Sequence, residues 1–290
     1  MATGKDQEAP SLLSLRQEAR TIYGSDAQGY DAGRPDYPAE VYQILASRCG
    51  LRAGASVVEI GPGTGLVTRR LVAAGARVVA VEPDQNMAAH LAAAVSSDVE
   101  IIPGTFEQAP LPQDRFDLAL AATSFHWVDQ GAGIPKLGRV IRPGGWAAVW
   151  WTIFDDPGRP DAFRDALRAR TGDGDPGGQR YARFQLDAAA RCRDLAERAG
   201  LTDVSGNLIR WTADLDTAQL RALYASMIRI RRLPADVRRR ILDQISLLAD
   251  HEFAGRVQRP FITAMYTGRR PPARQDRAGQ NSDDMRLTGC

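Results

Sequence analysis

Apolar residues along the chain fall into two kinds of run, which predict alternating strands and helices. Residues 57–60 and 77–82 are short, continuous and rich in β-branched side chains, a composition typical of buried parallel strands. Between them, residues 66–74 carry apolar side chains at helical spacing and end at Gly75. This strand–helix–strand order predicts an α/β fold with a parallel sheet.

Similar patterns extend the fold in both directions. Further strands are predicted at residues 99–102, 208–211 and 261–267, and further helices at residues 11–23, 38–47 and 186–199. Two helical stretches, 217–231 and 234–253, are too long for a hairpin connection, so we expect a helical lid at about residues 215–255. Residues 1–10 and 270–290 are polar without periodicity and are expected to be disordered, which leaves one domain at residues 11–269.

The most informative motif is a glycine-rich turn between the first strand and its helix, with the order E-x-G-x-G-x-G from Glu59 to Gly65. Glycines there let the backbone touch a ligand. A dinucleotide site would have a glycine where Leu66 stands, and the Glu59 carboxylate would repel a pyrophosphate. The pattern therefore favours a cationic ligand, although Glu59 has the alternative role of capping the helix.

This turn resembles the first motif of the class I S-adenosylmethionine-dependent methyltransferases, whose ligand carries an ammonium and a sulfonium. Glu82, at the end of the second strand, stands where that family places an acid for the ribose hydroxyls. Residues 104–112 resemble its adenine-contacting segment, with Thr105 where many relatives have Asp. Residues 116–129 and 140–151 resemble its fourth strand with the strand's exit, and its fifth strand. The resemblance covers residues 30–269.

The resemblance implies a Rossmann-like, seven-stranded, mostly parallel sheet of order 3-2-1-4-5-7-6, with strand 7 antiparallel and helices on both faces. It implies methyl transfer from S-adenosylmethionine to a small-molecule acceptor, with oxygen as our hypothesis for the methylated atom. Carried over residue by residue, the cofactor site comprises Tyr30, Arg34, Glu59, Gly61, Gly63, Thr64, Gly65, Glu82, Pro83, Met87, Thr105, Phe106, Ala122 and Thr123.

The acceptor side is expected at the exits of strands four and five, with His126, Trp127 and Trp151 lining the pocket. His126 is a candidate general base or hydrogen-bond donor, and its alternative is a packing histidine. Together with residues 30–38, this region resembles a subgroup of small-molecule methyltransferases that includes the trans-aconitate type. There Tyr30 is a catalytic candidate that shields the cofactor, and Arg34 pairs with the cofactor's carboxylate.

The arginine-rich stretch at residues 229–240 has two interpretations. It is either a solvated helical face or, less favoured, a site for an acidic acceptor. Pro234 divides it between two helices, so its arginines need not form one patch.

Composition narrows the function further. The net charge of +2 gives little reason to expect nucleic-acid binding, and an N/D-P-P-Y/F sequence is absent after strand four. Three widely spaced cysteines indicate neither a disulfide framework nor a metal site, so we expect no metal and a cytoplasmic location. No apolar run suggests a membrane span. A homodimer is left open.

Three other functions remain open at this stage. The first is a protein that binds S-adenosylmethionine without methylating, because its glycine turn would look identical. A nucleic-acid methyltransferase is a weaker alternative. A dehydrogenase is the third, and would bind a nicotinamide dinucleotide instead.

Overall fold

The computed structural model describes residues 22–95, 99–171 and 182–273 of the 290-residue chain. Within these ranges, seven strands form one sheet in the order β3-β2-β1-β4-β5-β7-β6, which confirms the predicted order. The strands are Ser56–Ile60 (β1), Arg77–Glu82 (β2), Glu100–Pro103 (β3), Phe116–Ala122 (β4), Ile141–Ile153 (β5), Thr202–Asp216 (β6) and Arg256–Arg269 (β7).

The first five strands are parallel, and β7 lies antiparallel between β5 and β6, as predicted. The last two strands are longer than the predicted apolar runs. In β6 the exposed and buried positions alternate towards Asp216. Polar residues at the exposed positions interrupt the apolar run, so an apolar pattern predicts only part of the strand. In β7 the buried face includes Arg259 and Thr263, polar side chains that an apolar pattern does not count.

Helices cover both faces of the sheet. They are Ala27–Gly33 (α1), Ala39–Ser47 (α2), Leu66–Ala73 (α3), Gln85–Ala94 (α4), Gln130–Val140 (α5), Ala162–Thr171 (α6), Ala188–Arg193 (α7), Thr217–Ala225 (α8), Ile228–Arg231 (α9) and Ala235–Glu252 (α10). The helix predicted at residues 186–199 is found, but it begins at Ala188 and its second half is π-helical. Asp187 caps α7 by accepting from the Ala190 backbone N–H, and a π-helical turn follows at Asp194–Arg198.

Two apolar clusters lie on opposite faces of the sheet, and a third lies beneath the helices between β6 and β7. Trp150 and Trp151 belong to different faces, as strand alternation predicts, and both are buried. The third cluster joins α6, α8 and α10 to the far ends of β6 and β7. We call α8 to α10, residues 217–252, the lid. Its helices confirm the predicted helical stretches, with interruptions at residues 226–227 and 232–234.

Several expectations fall outside the described residues. These are the end at residues 1–10, residues 274–290 of the end predicted at 270–290, and most of the helix predicted at residues 11–23, of which residues 22 and 23 are described and helical. The domain boundaries at residues 11 and 269 therefore stay predictions. Among the described helices, none combines the length and apolarity needed to cross a bilayer.

Candidate functional site

The glycine turn at the end of β1 has a backbone that requires glycine. Gly61, Gly63 and Gly65 have positive φ angles of 64°, 59° and 87°. A Cβ on Gly61 would lie 2.7 Å from Cβ of Ser124, and one on Gly65 would lie 2.4 Å from Cδ1 of Leu91. A Cβ on Gly63 would meet nothing within 4 Å. Packing therefore requires two of the glycines, whereas Gly63 borders open space where a ligand can approach the backbone.

Glu59 places a buried carboxyl group beneath this turn. The side chain is 1% exposed, and its Oε2 accepts a hydrogen bond of 2.7 Å from Oγ1 of Thr68. Its Oε1 is buried with no hydrogen-bond partner among the described residues. Burial, with a further contribution from the charge of Glu82, raises the pKa of Glu59 to about 7. An unpartnered buried carboxyl oxygen fits a cationic group such as an ammonium.

Glu82 ends β2 beside the turn and is almost fully buried. Its Oε2 accepts from the backbone N–H of Gly63 at 2.9 Å, and its Oε1 accepts from that of Asp84 at 2.9 Å. Each carboxylate oxygen can accept a second hydrogen bond, so these contacts are compatible with the predicted ribose hydroxyls. Glu82 thus also holds the glycine turn, a role that the sequence did not suggest.

The remaining predicted cofactor residues follow the carboxyl edge of the sheet. Pro83 is half-buried, but Met87 and Phe106 are only 4% and 3% exposed. The Phe106 ring belongs to the core, with the Lys136 ammonium 5.3 Å from its centroid. The ring has almost no accessible surface, so a cofactor contact at Phe106 would be made by its backbone, and its predicted role in the cofactor site stays a prediction. The Thr105 hydroxyl contacts Gln108 at 3.4 Å.

The exit of β4 is fixed by a contact that sequence reasoning missed. Ala122 ends the strand, and Thr123 follows with a positive φ of 54°. The hydroxyl groups of Thr123 and Tyr37 are 2.9 Å apart, and the Tyr37 ring packs edge-on against Trp150 at 5.6 Å. Burial raises the pKa of Tyr37 above its ordinary value, so the phenol stays protonated. The sequence offered one indication of a role for Tyr37, its place within the family-like segment at residues 30–38.

The segment at residues 22–37, which we call the flap, lies across this edge of the sheet. Asp31 in the flap accepts from Nη2 of Arg69 at 3.1 Å and pairs with His90 at 3.6 Å. Burial opposes its ionisation, but hydrogen bonds from Thr64 and Arg69 outweigh it and hold the pKa of Asp31 below its usual value. The flap is thus attached to the helix that starts at the glycine turn.

Tyr30 and Arg34 lie on the part of the flap that meets the lid. The guanidinium carbon of Arg34 lies 4.7 Å from the ring centroid of Tyr30 and 4.8 Å from that of Phe154. Its Nη2 donates to the backbone oxygen of Ser226 at 3.2 Å, and its Nε is buried without a partner among the described residues. The predicted pairing of Arg34 with a cofactor carboxylate stays a prediction.

Two further contacts close the flap against the lid. A Cβ on Gly33 would lie 2.3 Å from the backbone oxygen of Ala222, so α1 and α8 approach closely. Arg231, whose side chain is 8% exposed, pairs with Asp26 at 3.5 Å. Neither interpretation of the arginine-rich stretch describes Arg231, which joins the lid to the flap.

His126, Trp127 and Trp151 come together as expected, but not all three face open space. The rings of His126 and Trp127 are 4.4 Å apart, and Trp127 packs against Tyr23 at 6.3 Å. Trp151 is 1% exposed and donates from Nε1 to Nδ1 of His126 at 3.0 Å. Trp151 is therefore buried beneath His126 and supports that ring through a hydrogen bond, and it was predicted instead to line the pocket.

Among the described residues, no group of three or more His, Cys, Asp or Glu side chains could hold a metal ion. The expectation of a metal-free site stays a prediction.

Comparisons with known proteins agree with this geometry. The family described as "Methyltransferase domain" matches residues 58–149, from β1 to β5. The chain is 35% identical over 241 residues to the uncharacterized methyltransferase Mb3374 of Mycobacterium bovis, covering 83% of this chain and 90% of that relative.

Solved structures resemble the fold. One is assigned as a methyltransferase from an antibiotic biosynthesis pathway of Anabaena variabilis, with a TM-score of 0.57, 18% identity and coverage of 80% of this chain and 98% of the other. Another is the [4+2]-cyclase SpnF, with a TM-score of 0.53, 16% identity and coverage of 91% and 98%.

Proposed function

This chain belongs to the class I S-adenosylmethionine-dependent methyltransferases, and from that premise we propose that it methylates a small-molecule acceptor at an oxygen atom. We also propose membership of the subgroup that includes the trans-aconitate type, which rests on residues 30–38 and on the Phe125–Trp127 turn.

The observation that carries the donor assignment is the unpartnered buried Oε1 of Glu59 at the end of β1, next to a glycine turn whose Gly63 borders open space. The buried carboxylate would attract the ammonium of the methionine moiety, and the Gly63 backbone would approach it closely. Glu82 would accept the ribose hydroxyls through lone pairs not used by the backbone. When bound, S-adenosylmethionine supplies an activated methyl group on a sulfonium, which leaves the protein to orient the acceptor and exclude water.

Enclosure of the acceptor side supports a small acceptor. The flap meets the lid at Gly33, Arg34 and Asp26, and the Arg34 guanidinium also lies over the ring of Phe154, the residue that follows β5. A polymer bound there would need an open groove, whereas a metabolite would fit beneath the junction. Half-buried rings of Tyr30, Trp127 and Phe154 would contribute apolar walls and exclude water.

The test is to incubate the full chain with S-adenosylmethionine and a fractionated metabolite extract, and to measure S-adenosylhomocysteine and products heavier by one methylene. Gly63→Ala should abolish turnover, because its Cβ would enter the ligand space. Gly54→Ala is the matched control, since Gly54 also has a positive φ, of 77°, with nothing within 4 Å of its Cβ. Both should lose about 1 kcal/mol of stability, but Gly54→Ala should keep full activity.

Two results would contradict the proposal. Methylation of RNA, DNA or protein with no small-molecule product would refute the acceptor class. Tight binding of S-adenosylhomocysteine without transfer to any fraction would instead favour a protein that uses the cofactor without methylating.

A further inference from the structure

The contact between Trp151 and His126 decides which nitrogen of the histidine carries the proton. An indole N–H can only donate, so Nδ1 of His126, 3.0 Å from it, must accept and be unprotonated. A neutral imidazole with an unprotonated Nδ1 carries its hydrogen on Nε2. Turning the ring over would place a carbon against the indole and leave a buried donor unsatisfied, since Trp151 is 1% exposed.

The orientation of Trp151 is itself fixed by packing. Its ring lies 5.9 Å from Phe184 in an edge-on arrangement and 6.2 Å from Tyr266. The Tyr266 hydroxyl donates to the backbone oxygen of Gln185 at 2.7 Å. The indole therefore cannot rotate away from His126 without disturbing the core on this face of the sheet.

We infer that Trp151 is a positioning residue that makes His126 a hydrogen-bond donor through Nε2, and not the general base of the reaction. This inference rests on the proposed function. A base at Nε2 would need the hydrogen on Nδ1, where it would point at the indole N–H. His126 could therefore accept a proton at Nε2 only after its hydrogen bond with Trp151 had broken.

A donor at this position selects the chemistry of the acceptor. An acceptor oxygen that is already ionised, as a carboxylate or an acidic enol is at neutral pH, needs no base, so a His126 that only donates fits such an acceptor. A lone pair of that oxygen forms the O–C bond, the C–S bond breaks, and its electron pair goes to sulfur. The anionic oxygen and the sulfonium neutralise each other, so no proton is released.

Tautomer determination tests the inference without knowledge of the acceptor. The chain has three histidines, so a two-bond proton–nitrogen spectrum of the full-length protein labelled with nitrogen-15 in histidine is simple. His126 is assigned by its absence in His126→Gln. With S-adenosylhomocysteine bound at pH 8, we expect the pattern of an Nε2–H tautomer, and in Trp151→Phe a mixture of tautomers. An Nδ1–H pattern in the wild type overturns the inference, and this reading does not depend on whether the variant folds.

Turnover of the acceptor found in the metabolite screen supplies the second measurement. The amide of His126→Gln places an N–H donor near the Nε2 position but cannot act as a base. Activity within about tenfold of wild type is expected, the size of one hydrogen bond, with a larger loss for His126→Ala. Loss of about 10²- to 10⁴-fold in both variants would show a base and overturn the inference.

Proton counting completes the test. In weakly buffered solution with an indicator dye, we expect no proton per methyl group transferred, and one proton per turnover would refute an ionised acceptor. Failure to methylate any metabolite would instead refute the proposed function and leave the tautomer result standing.

Discussion

Glu59 imposes a cost on the folded protein that the ligand would remove. Its pKa of about 7 lies above the ordinary carboxyl value of 4.5, so the folded state holds the proton more tightly than the unfolded state. The stabilisation from protonated Glu59 is complete below about pH 4.5 and is lost as the pH rises through 7. Above pH 7 the ionised group costs about 3 kcal/mol relative to the acid form.

Glu59→Gln should therefore stabilise the ligand-free protein at pH 8 while weakening S-adenosylhomocysteine binding by at least tenfold. The isosteric amide removes the buried charge and with it the attraction for the ammonium. Urea unfolding at pH 5.5 and 8, with calorimetric titration of the ligand, measures both effects. Glu40→Gln, on the exposed first turn of α2, is the control and should change neither. An unchanged pH slope in Glu59→Gln would show that another group controls it.

Among the elements, β7 carries a buried ion pair that connects the sheet to the lid. Arg259 is 3% exposed, donates to Asp161 at 2.6 Å and donates to the Tyr224 hydroxyl at 2.8 Å. Asp161 precedes α6 and Tyr224 belongs to α8, so one side chain holds three elements together. Burial opposes the charge of Arg259, but its interactions with Tyr224 and Asp161 outweigh burial and raise the pKa of Arg259 above its ordinary value.

Arg259→Met should destabilise the protein by about 3–5 kcal/mol, because it leaves the Asp161 carboxylate buried without its partner. Chemical unfolding measures the loss. Arg256→Met, on the same strand but exposed and paired with Asp214, is the control and should leave the midpoint of unfolding nearly unchanged. Adding Asp161→Asn to Arg259→Met should recover part of the stability. A double variant as unstable as the single one would show that Arg259 acts through packing alone.

At the scale of the whole molecule, the donor side could be predicted from the sequence because its residues lie close together in the chain. Glu59, the glycines and Glu82 belong to one strand–helix–strand unit, and short-range patterns fix its geometry. The sheet order followed from the family resemblance. The glycine turn was predicted, but the way Glu82 holds it was not, since a hydrogen bond to a backbone N–H leaves no trace in side-chain patterns.

The acceptor side could be predicted only as a list of residues, since it is assembled from distant segments. Tyr37 meets Thr123, and Trp151 meets His126. Asp26 in the flap meets Arg231 in the lid, about two hundred residues along the chain. Local periodicity carries no information on such pairs, because it reports which face of an element is buried and not what covers it.

These long-range contacts connect the donor and acceptor sides through the flap. Asp31 and Thr64 attach the flap to the glycine turn, and Arg231 attaches it to the lid. Binding of S-adenosylhomocysteine should therefore slow hydrogen exchange in Ala27–Gly33 and also in Thr217–Ala225, although neither adenine nor ribose would touch the lid.

Arg231→Met should keep the protection of the glycine turn and lose that of Thr217–Ala225, because the connection between flap and lid is weakened. Exchange measured by mass spectrometry with and without the ligand distinguishes the segments. Arg240→Met, an exposed arginine of the same lid paired with Asp236, is the matched control and should retain the full pattern. If the lid stays protected in Arg231→Met, Gly33 and Arg34 carry the coupling without the ion pair. If protection in the wild type is confined to the glycine turn, the donor and acceptor sides respond to the ligand independently.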